Sequence, residues 1–294
     1  MTSPQILDLS HNNLTGIIPQ CFGNLIGNKL KVIKLGHDNF QGKLPRSLAS
    51  CKILEHLDLG NYQIKDTFLS WLGVLSQLKI FILHFNGFYG AISGQRSDIF
   101  FPKLRIIDLS HNEFVRPLPM DYFKRWNVMA NLDGENTTYL QADYNLYLNN
   151  FIVPFQVAYV MTITNKGEEM EYTKILKIYT AIDLSCNKFA REIPEVVSTL
   201  TRLQLLNLSH NMLIGPIPPA LGDLTNLEAL VDLSHNKLTG RIPWQLTKLN
   251  FLEVFNVSYN HLTGPIPKGQ QFIHLKVTHL IGMQDFVDAT VKEM

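Results

Sequence analysis

The chain has 294 residues, 46% hydrophobic and 17% charged, which is enough apolar side chain for a sizeable buried core. Its 26 basic and 25 acidic residues leave a net charge of +1, which excludes the charge excess of a nucleic-acid or anionic-membrane binder. Three cysteines (Cys21, Cys51 and Cys186) are an odd and sparse set, not a disulfide framework. No apolar run reaches the length of about 18 residues that a bilayer span needs.

The N-terminal stretch has neither a basic start nor an apolar h-region, so it does not read as a signal peptide. From Leu7 a block of eight residues, LDLSHNNL, begins a series. Its counterparts start at Ile33, Leu57, Phe81, Ile107, Ile182, Leu206, Val231 and Phe255. The sixth position falls on Asn12, Asp38, Tyr62, Asn86, Asn112, Asn187, Asn211, Asn236 and Asn260, mostly 24 to 26 residues apart. A period of this size predicts a solenoid of stacked units. In each block two apolar side chains two residues apart point the same way, as in a strand. They enter the core, and the residues between them are expected to face solvent. The sixth-position Asn suits a turn, where a short amide bonds backbone groups. Five residues past the apolar eighth position stands Pro in seven of nine units, among them Pro45, Pro194, Pro218 and Pro243. Proline cannot continue a strand and turns the chain onto the convex side. No unit buries its apolar face alone, so stacking is expected to build one parallel, concave sheet.

One interval is 75 residues, from Asn112 to Asn187. The insert, roughly residues 120–178, is rich in aromatics. Its second half alternates, with Val157, Tyr159, Met161 and Ile163 on one face. A turn at Asn165-Lys166-Gly167 and a return through Met170 and Tyr172 predict a β-hairpin. The organisation read from the chain is therefore repeats 1–5 over residues 1–119, an island over 120–178, repeats 6–9 over 179–267, and a tail over 268–294.

The blocks match L-x-x-L-x-L-x-x-N-x-L-x-G-x-I-P. Gly16-Ile17-Ile18-Pro19, Gly215-Pro216-Ile217-Pro218, Gly240-Arg241-Ile242-Pro243 and Gly264-Pro265-Ile266-Pro267 carry the final signature. This resembles the plant-specific leucine-rich repeat (LRR) over roughly residues 4–272. It implies an α/β-type LRR solenoid: a curved right-handed stack with a parallel concave sheet and short 3-10 or loop segments on the convex side. Asp66, Arg116 and Arg191 replace the signature glycine, and looser turns are expected there. A non-repeat island before four closing repeats is similar to plant receptor-like proteins of the Cladosporium- and Verticillium-resistance type, as are MDYFKRWNVM and TNKGEEMEYTKILKIYTAIDLSCNKF. Family islands often place a tyrosine with eight residues between it and a Lys-Gly pair. Counted back from Lys166 that position is Val157, with Tyr159 two residues later. The family would also carry a signal peptide, cysteine-paired caps and a transmembrane helix, so the chain is expected to be a fragment or a truncated product.

Two columns cross the repeats. Position five reads His11, His37, His111, His210 and His235, and position two reads Asp8, Asp58, Asp108, Asp183 and Asp232. Stacked histidines on adjacent strands could in principle hold a metal. The reading preferred is that they fill solvent-facing positions, because Asn61, Phe85, Cys186 and Tyr259 break the column. An open sheet offers no dry pocket, and the chain has no phosphate loop or nucleophile elbow, so no catalytic, metal or cofactor site is expected. Cys21 and Cys51 are expected to be free, buried thiols. Sequons at Asn13, Asn136, Asn207 and Asn256 are candidate N-glycosylation sites in a secreted parent.

The resemblance implies a receptor ectodomain at the extracellular face of the plasma membrane, without a kinase. Such a protein would bind a peptide, protein or glycan elicitor and pair with a receptor-kinase adaptor and co-receptor. The candidate partner surface is Tyr139, Tyr144 and Tyr147 of the island with His210, Asp232, His235 and Tyr259 of the closing repeats. The alternatives are a secreted LRR inhibitor of cell-wall hydrolases, against which the island argues, and a non-functional truncated receptor product.

Overall fold

A computed structural model describes residues 5–26, 29–61, 63–93, 100–131, 138–148, 151–165 and 168–269. Nine three-residue strands form one parallel sheet: Ile6–Asp8, Val32–Lys34, His56–Asp58, Ile80–Ile82, Ile106–Asp108, Ala181–Asp183, Leu205–Asn207, Leu230–Asp232 and Val254–Asn256. Their order in space is their order in sequence, the mark of one repeat stacked on the next. Every pair is in register at the same repeat position, as in Ile33 with Leu57 or Ile182 with Leu206. The expected nine-repeat stack is what forms.

The Asn of position six knits the stack. Asn112 donates from Nδ2 to the carbonyls of Leu109 and Ser110 in its own turn and of Leu83 in the preceding one. Its Oδ1 accepts the N–H of Phe88, also from the preceding repeat. Asn86, Asn187, Asn211, Asn236 and Asn260 repeat the pattern. One side chain thus satisfies several backbone groups that a sharp turn would otherwise leave buried and unpaired. Asp38 cannot donate: one carboxylate oxygen accepts the Leu14 N–H, and the other is buried without a partner.

After the turn the chain makes a second set of strands that the sequence pattern did not announce. Thr15–Ile17, Asn39–Gly42 and Gln63–Ile64 form one sheet. Tyr89–Ala91, Glu113–Arg116, Lys188–Arg191, Met212–Pro216, Lys237–Gly240 and His261–Leu262 form another. The signature glycines Gly16, Gly42, Gly90, Gly215, Gly240 and Gly264 lie in or just past these strands at φ 76–92°. Arg116 and Arg191 adopt φ 76° and 78° in the same place, so those turns are not looser. They keep the shape and accept strain that an L side chain pays in this region. On the convex side Pro45, Pro194, Pro218 and Pro243 sit immediately before 3-10 turns. Each proline carbonyl receives the N–H three residues on, from Leu48, Val197, Leu221 and Leu246. The inner leucines and phenylalanines of all repeats form one continuous core.

The long interval does not interrupt the stack. Ile106–Asp108 pairs directly with Ala181–Asp183. Short helices Met120–Phe123 and Asn127–Ala130 take the convex side of the fifth repeat, burying Tyr122, Phe123 and Trp126 in the common core. The remainder forms two antiparallel hairpins where one was expected: Gln141–Leu148 with Phe151–Ala158, and Met161–Asn165 with Glu168–Tyr172. The second is the expected one, pairing Met161 with Tyr172 and Ile163 with Met170. Val157 belongs instead to the first hairpin, because the chain leaves strand geometry at Tyr159 and Val160. Tyr62, Lys166 and Gly167 lie outside the described residues.

Candidate partner-binding surface

The outer face of the long sheet carries the residues before, and one after, the first inward leucine of each block. The position before it is Ile6, Val32, His56, Ile80, Ile106, Ala181, Leu205, Leu230 and Val254, apolar in all but the third repeat. Such a row on an open face would be costly. It is not open: Leu140, Ala142, Tyr159, Met161 and Ile175 of the island pack against it as a second apolar cluster. Asp108 and Asp183, expected in solvent, are therefore buried, and so is His56.

Polar contacts pin this cover. The Tyr159 hydroxyl donates to Glu55 Oε2 (2.7 Å), which also pairs with Lys79. Lys34 Nζ donates to the Val160 carbonyl (2.7 Å), and Arg105 donates to the carbonyl of Lys177. The Tyr159 ring meets His56 edge-on at 5.4 Å. Burial, and Lys34 nearby, hold His56 well below the usual histidine range, and neither of its ring nitrogens has a partner. Beneath the island a polar chain runs across the strands. Asn61 Nδ2 is 3.0 Å from Nε2 of both His37 and His84, and His84 Nδ1 is 3.0 Å from Asp108 Oδ2. Burial alone would raise Asp108, but His84 brings it below the ordinary carboxylate value. Asp183, in register with Asp108, has no such cation. Burial and the neighbouring carboxylate push it up to about 7.

Position-two side chains also cap the following turn. Asp183 Oδ1 accepts the Ser185 N–H, and Asp232 Oδ1 accepts that of Ser234. Asn207 and Asn256 do the same for Ser209 and Ser258, and their amides reach back to Asp183 and Asp232 (both 3.0 Å).

Position five has a backbone reason for its histidines. His11, His37, Asn61, Phe85, His111, Cys186, His210, His235 and Tyr259 all have φ between 48° and 60°. That left-handed region is where Asn and His are enriched among non-glycine residues. It also lays the rings flat on one another. His11 stacks on His37 (4.1 Å), Phe85 on His111 (3.9 Å), His210 on His235 (4.0 Å) and His235 on Tyr259 (4.2 Å). His210, His235 and Tyr259 are exposed, and burial together with His210 lowers His235.

Of the seven candidate residues the structure thus gathers His210, His235 and Tyr259 into one ladder, with Asp232 on the adjoining face. Tyr139 lies apart, on the island stem, where it is exposed, bridges to Leu176 and carries Lys174 over its ring. Tyr144 and Tyr147 lie in the strand Gln141–Leu148. Among the sequons, Asn13 is exposed, Asn207 is buried with its amide bonded, Asn256 is half-buried, and Asn136 lies outside the described residues. All three cysteines are free, but only Cys51 is buried; Cys21 is exposed and Cys186 intermediate. Reasoning from the sequence missed Lys34, Glu55 and His56. The available signal was the apolar outward row, which demands a cover, and His56 as its single polar member.

The leucine-rich-repeat family pattern matches residues 5–64, and a second leucine-rich-repeat pattern matches 202–224 and 230–249. Receptor-like proteins 18 and 34 of Arabidopsis thaliana are 43% and 41% identical over 203 and 206 residues, 68% and 69% of this chain. The chain covers only 22% and 19% of their lengths. Among solved structures, the Arabidopsis receptor kinase HAESA in complex with the peptide hormone IDA and the co-receptor SERK1 superposes with a TM-score of 0.69. It is 23% identical, and the match covers 97% of this chain and 39% of that one, a likeness of fold. The plant peptide hormone receptor RGFR1 in complex with RGF2 gives a TM-score of 0.63 at 23% identity, covering 95% and 39%. By its repeats, its stacking and these relatives, the chain belongs to the plant leucine-rich-repeat receptor-like proteins.

Proposed function

We propose that this chain is a ligand- and partner-binding stretch of a plant cell-surface receptor ectodomain in defence or developmental signalling, with no kinase and no catalytic role. The observation that carries the reading is the exposed ladder His210–His235–Tyr259 beside Asp232. Its rings are held by backbone geometry and mutual stacking, so little side-chain entropy remains to be lost on binding. Aromatic groups presented this way are frequent hot spots. The ladder takes a receptor-kinase adaptor or co-receptor, and the island with the preceding repeats takes a peptide, protein or glycan elicitor. Tyr139, Tyr144 and Tyr147 are the island's candidate residues for the elicitor side. The likeness to HAESA supports a co-receptor, since that receptor was solved with a peptide hormone and a co-receptor together. The working position is the extracellular face of the plasma membrane; among the described residues no helix is long and apolar enough to cross a membrane.

The test uses a full-length parent receptor. His210, His235 and Tyr259 are changed to alanine, singly and together, and co-purification of receptor kinases is measured. The triple variant should lose at least about thirtyfold in association, the loss of a hot spot worth about 2 kcal/mol. Unchanged association with normal surface delivery refutes the ladder as a docking edge.

A further inference from the structure

The segment Ala158–Met161 has the character of a bound peptide more than of a strand in a core. It belongs to neither hairpin at Tyr159 and Val160, yet Tyr159 and Met161 are almost wholly buried. The surface beneath reads it through both side chain and backbone. Glu55, braced by Lys79, accepts from the tyrosine hydroxyl; His56 meets the ring edge-on; Lys34 takes the Val160 carbonyl. Val32 and Ile80 flank His56 on the neighbouring strands and supply the apolar floor.

The seating is also imperfect. Both ring nitrogens of His56 and the hydroxyl of Tyr179 are buried without a partner among the described residues. Each such atom costs free energy that exposure to water would return. The stack carries such atoms too, at Asp38 Oδ2, Tyr122 Oη and Trp126 Nε1. What separates the two is backbone pairing: the nine repeats are tied strand to strand in register, whereas Tyr159 and Val160 lie outside every strand, so this segment is cheaper to lift than a repeat.

We propose that repeats 2–4 carry a tyrosine-reading peptide site on the outer face of the long sheet, and that Tyr159–Met161 occupies it in cis. The partner it fits is an extended peptide with a tyrosine followed by a backbone carbonyl free to accept from Lys34 and then an apolar side chain. Such a peptide enters by displacing the island segment. The proposal rests on the elicitor half of the receptor reading and gives it a site and a chemistry; the His210–Tyr259 ladder plays no part in the contact, so the co-purification test and the peptide test fail separately.

The test keeps the whole chain and empties the site with Tyr159→Ala. The probe is a fluorescein-labelled, end-capped hexapeptide with the sequence of residues 156–161, followed by anisotropy. The variant should bind it at least tenfold more tightly than the unaltered chain, whose own segment competes. A probe with Phe for Tyr should bind at least tenfold more weakly, the loss expected for a hydrogen bond to a charged group. Glu55→Ala in the Tyr159→Ala background should abolish that distinction. Hydrogen exchange should show lost protection over residues 158–161 in Tyr159→Ala, with the strands Leu205–Asn207 and Leu230–Asp232 still protected. No saturable binding, or equal binding of the Tyr and Phe probes, overturns the proposal. So does global loss of protection in Tyr159→Ala, which would make the island part of the core.

Discussion

Asp183→Asn should gain stability relative to the unaltered chain as pH rises. Asp183 is 1% exposed, on the strand directly beside Asp108, and its carboxyl is pushed up to about 7 by burial and by that neighbour. An unfolded aspartate titrates near 3.9. Between these values the native state holds a proton that the unfolded state has released, so stability falls with rising pH. The contribution is complete below about pH 4, is lost progressively up to about pH 7, and is gone above it. At about 1.36 kcal/mol per unit the full loss is on the order of 4 kcal/mol, an upper figure for a coupled buried pair. An asparagine at 183 keeps the turn cap, because Asn207 and Asn256 occupy the same repeat position and cap the next turn through Oδ1. It takes away the Oδ2 that accepts the Asn207 amide, a cost on the order of 1 kcal/mol that offsets the two profiles by a constant and leaves their pH dependence to Asp183 alone. Urea unfolding by tryptophan fluorescence, run on both proteins from pH 5 to pH 8, gives the two stability profiles. The difference between them is the observable, because His56, held low by burial, tilts the shared profile the other way. That difference should widen by about 2–4 kcal/mol from pH 5 to pH 8. Parallel profiles would refute the account of Asp183 as a protonated buried acid.

Three further changes test the stack. Asp38→Asn should stabilise by about 1–2 kcal/mol in urea titration: it keeps the bond from the Leu14 N–H and turns an unpartnered oxygen into a donor facing turn carbonyls. Asn211→Ala should cost on the order of 3 kcal/mol by the same measurement, since it removes the acceptor of the Phe189 N–H and the donor to the carbonyls of Leu184, Leu208 and Ser209. Arg191→Gly should raise stability by about 1 kcal/mol through relief of its left-handed φ, read as an upward shift of the thermal midpoint; an unchanged midpoint would mean that the arginine side chain recovers the strain elsewhere.

The stack was legible because its signals repeat. Leu57 with Leu59, or Leu206 with Leu208, announces an inward pair of residues in a strand, and Asn at position six announces the turn; nine occurrences leave little room for another fold. Proline marked the convex 3-10 turns for the same reason. The second sheet was not legible, since the short stretch from Lys237 to Gly240 has no alternation beyond Leu238 to distinguish a strand from a loop. The island was half legible. Its second hairpin follows from residues adjacent in sequence, whereas its place over the long sheet depends on contacts such as Tyr159 with Glu55, more than a hundred residues apart, which no local pattern encodes. The candidate surface divides in the same way: the His210–His235–Tyr259 column follows from period alone, but its stacking follows from a positive φ that only the structure reveals.

The placement of the island also explains how so large an insert is tolerated. The bonds that define the stack skip it: Asn187 donates to the Leu109 carbonyl and accepts the Phe114 N–H as if the two repeats were consecutive. Repeats five and six lose no ladder contact, so the insert costs chiefly the closure of a longer loop, which grows only slowly with length. A segment that the stack does not need can then take on another task. Its own stability comes from the apolar row it covers, and that row comes from the repeats on both sides of it. Ile106 and Ala181 flank the insertion point, whereas Val32 and Ile80 lie in earlier repeats, so the cover reaches back over strands formed well before it in the chain. A contact of this kind couples the island to repeats that it does not adjoin in sequence. Any ligand that lifts Tyr159 from Glu55 would therefore change what the second to fourth repeats expose.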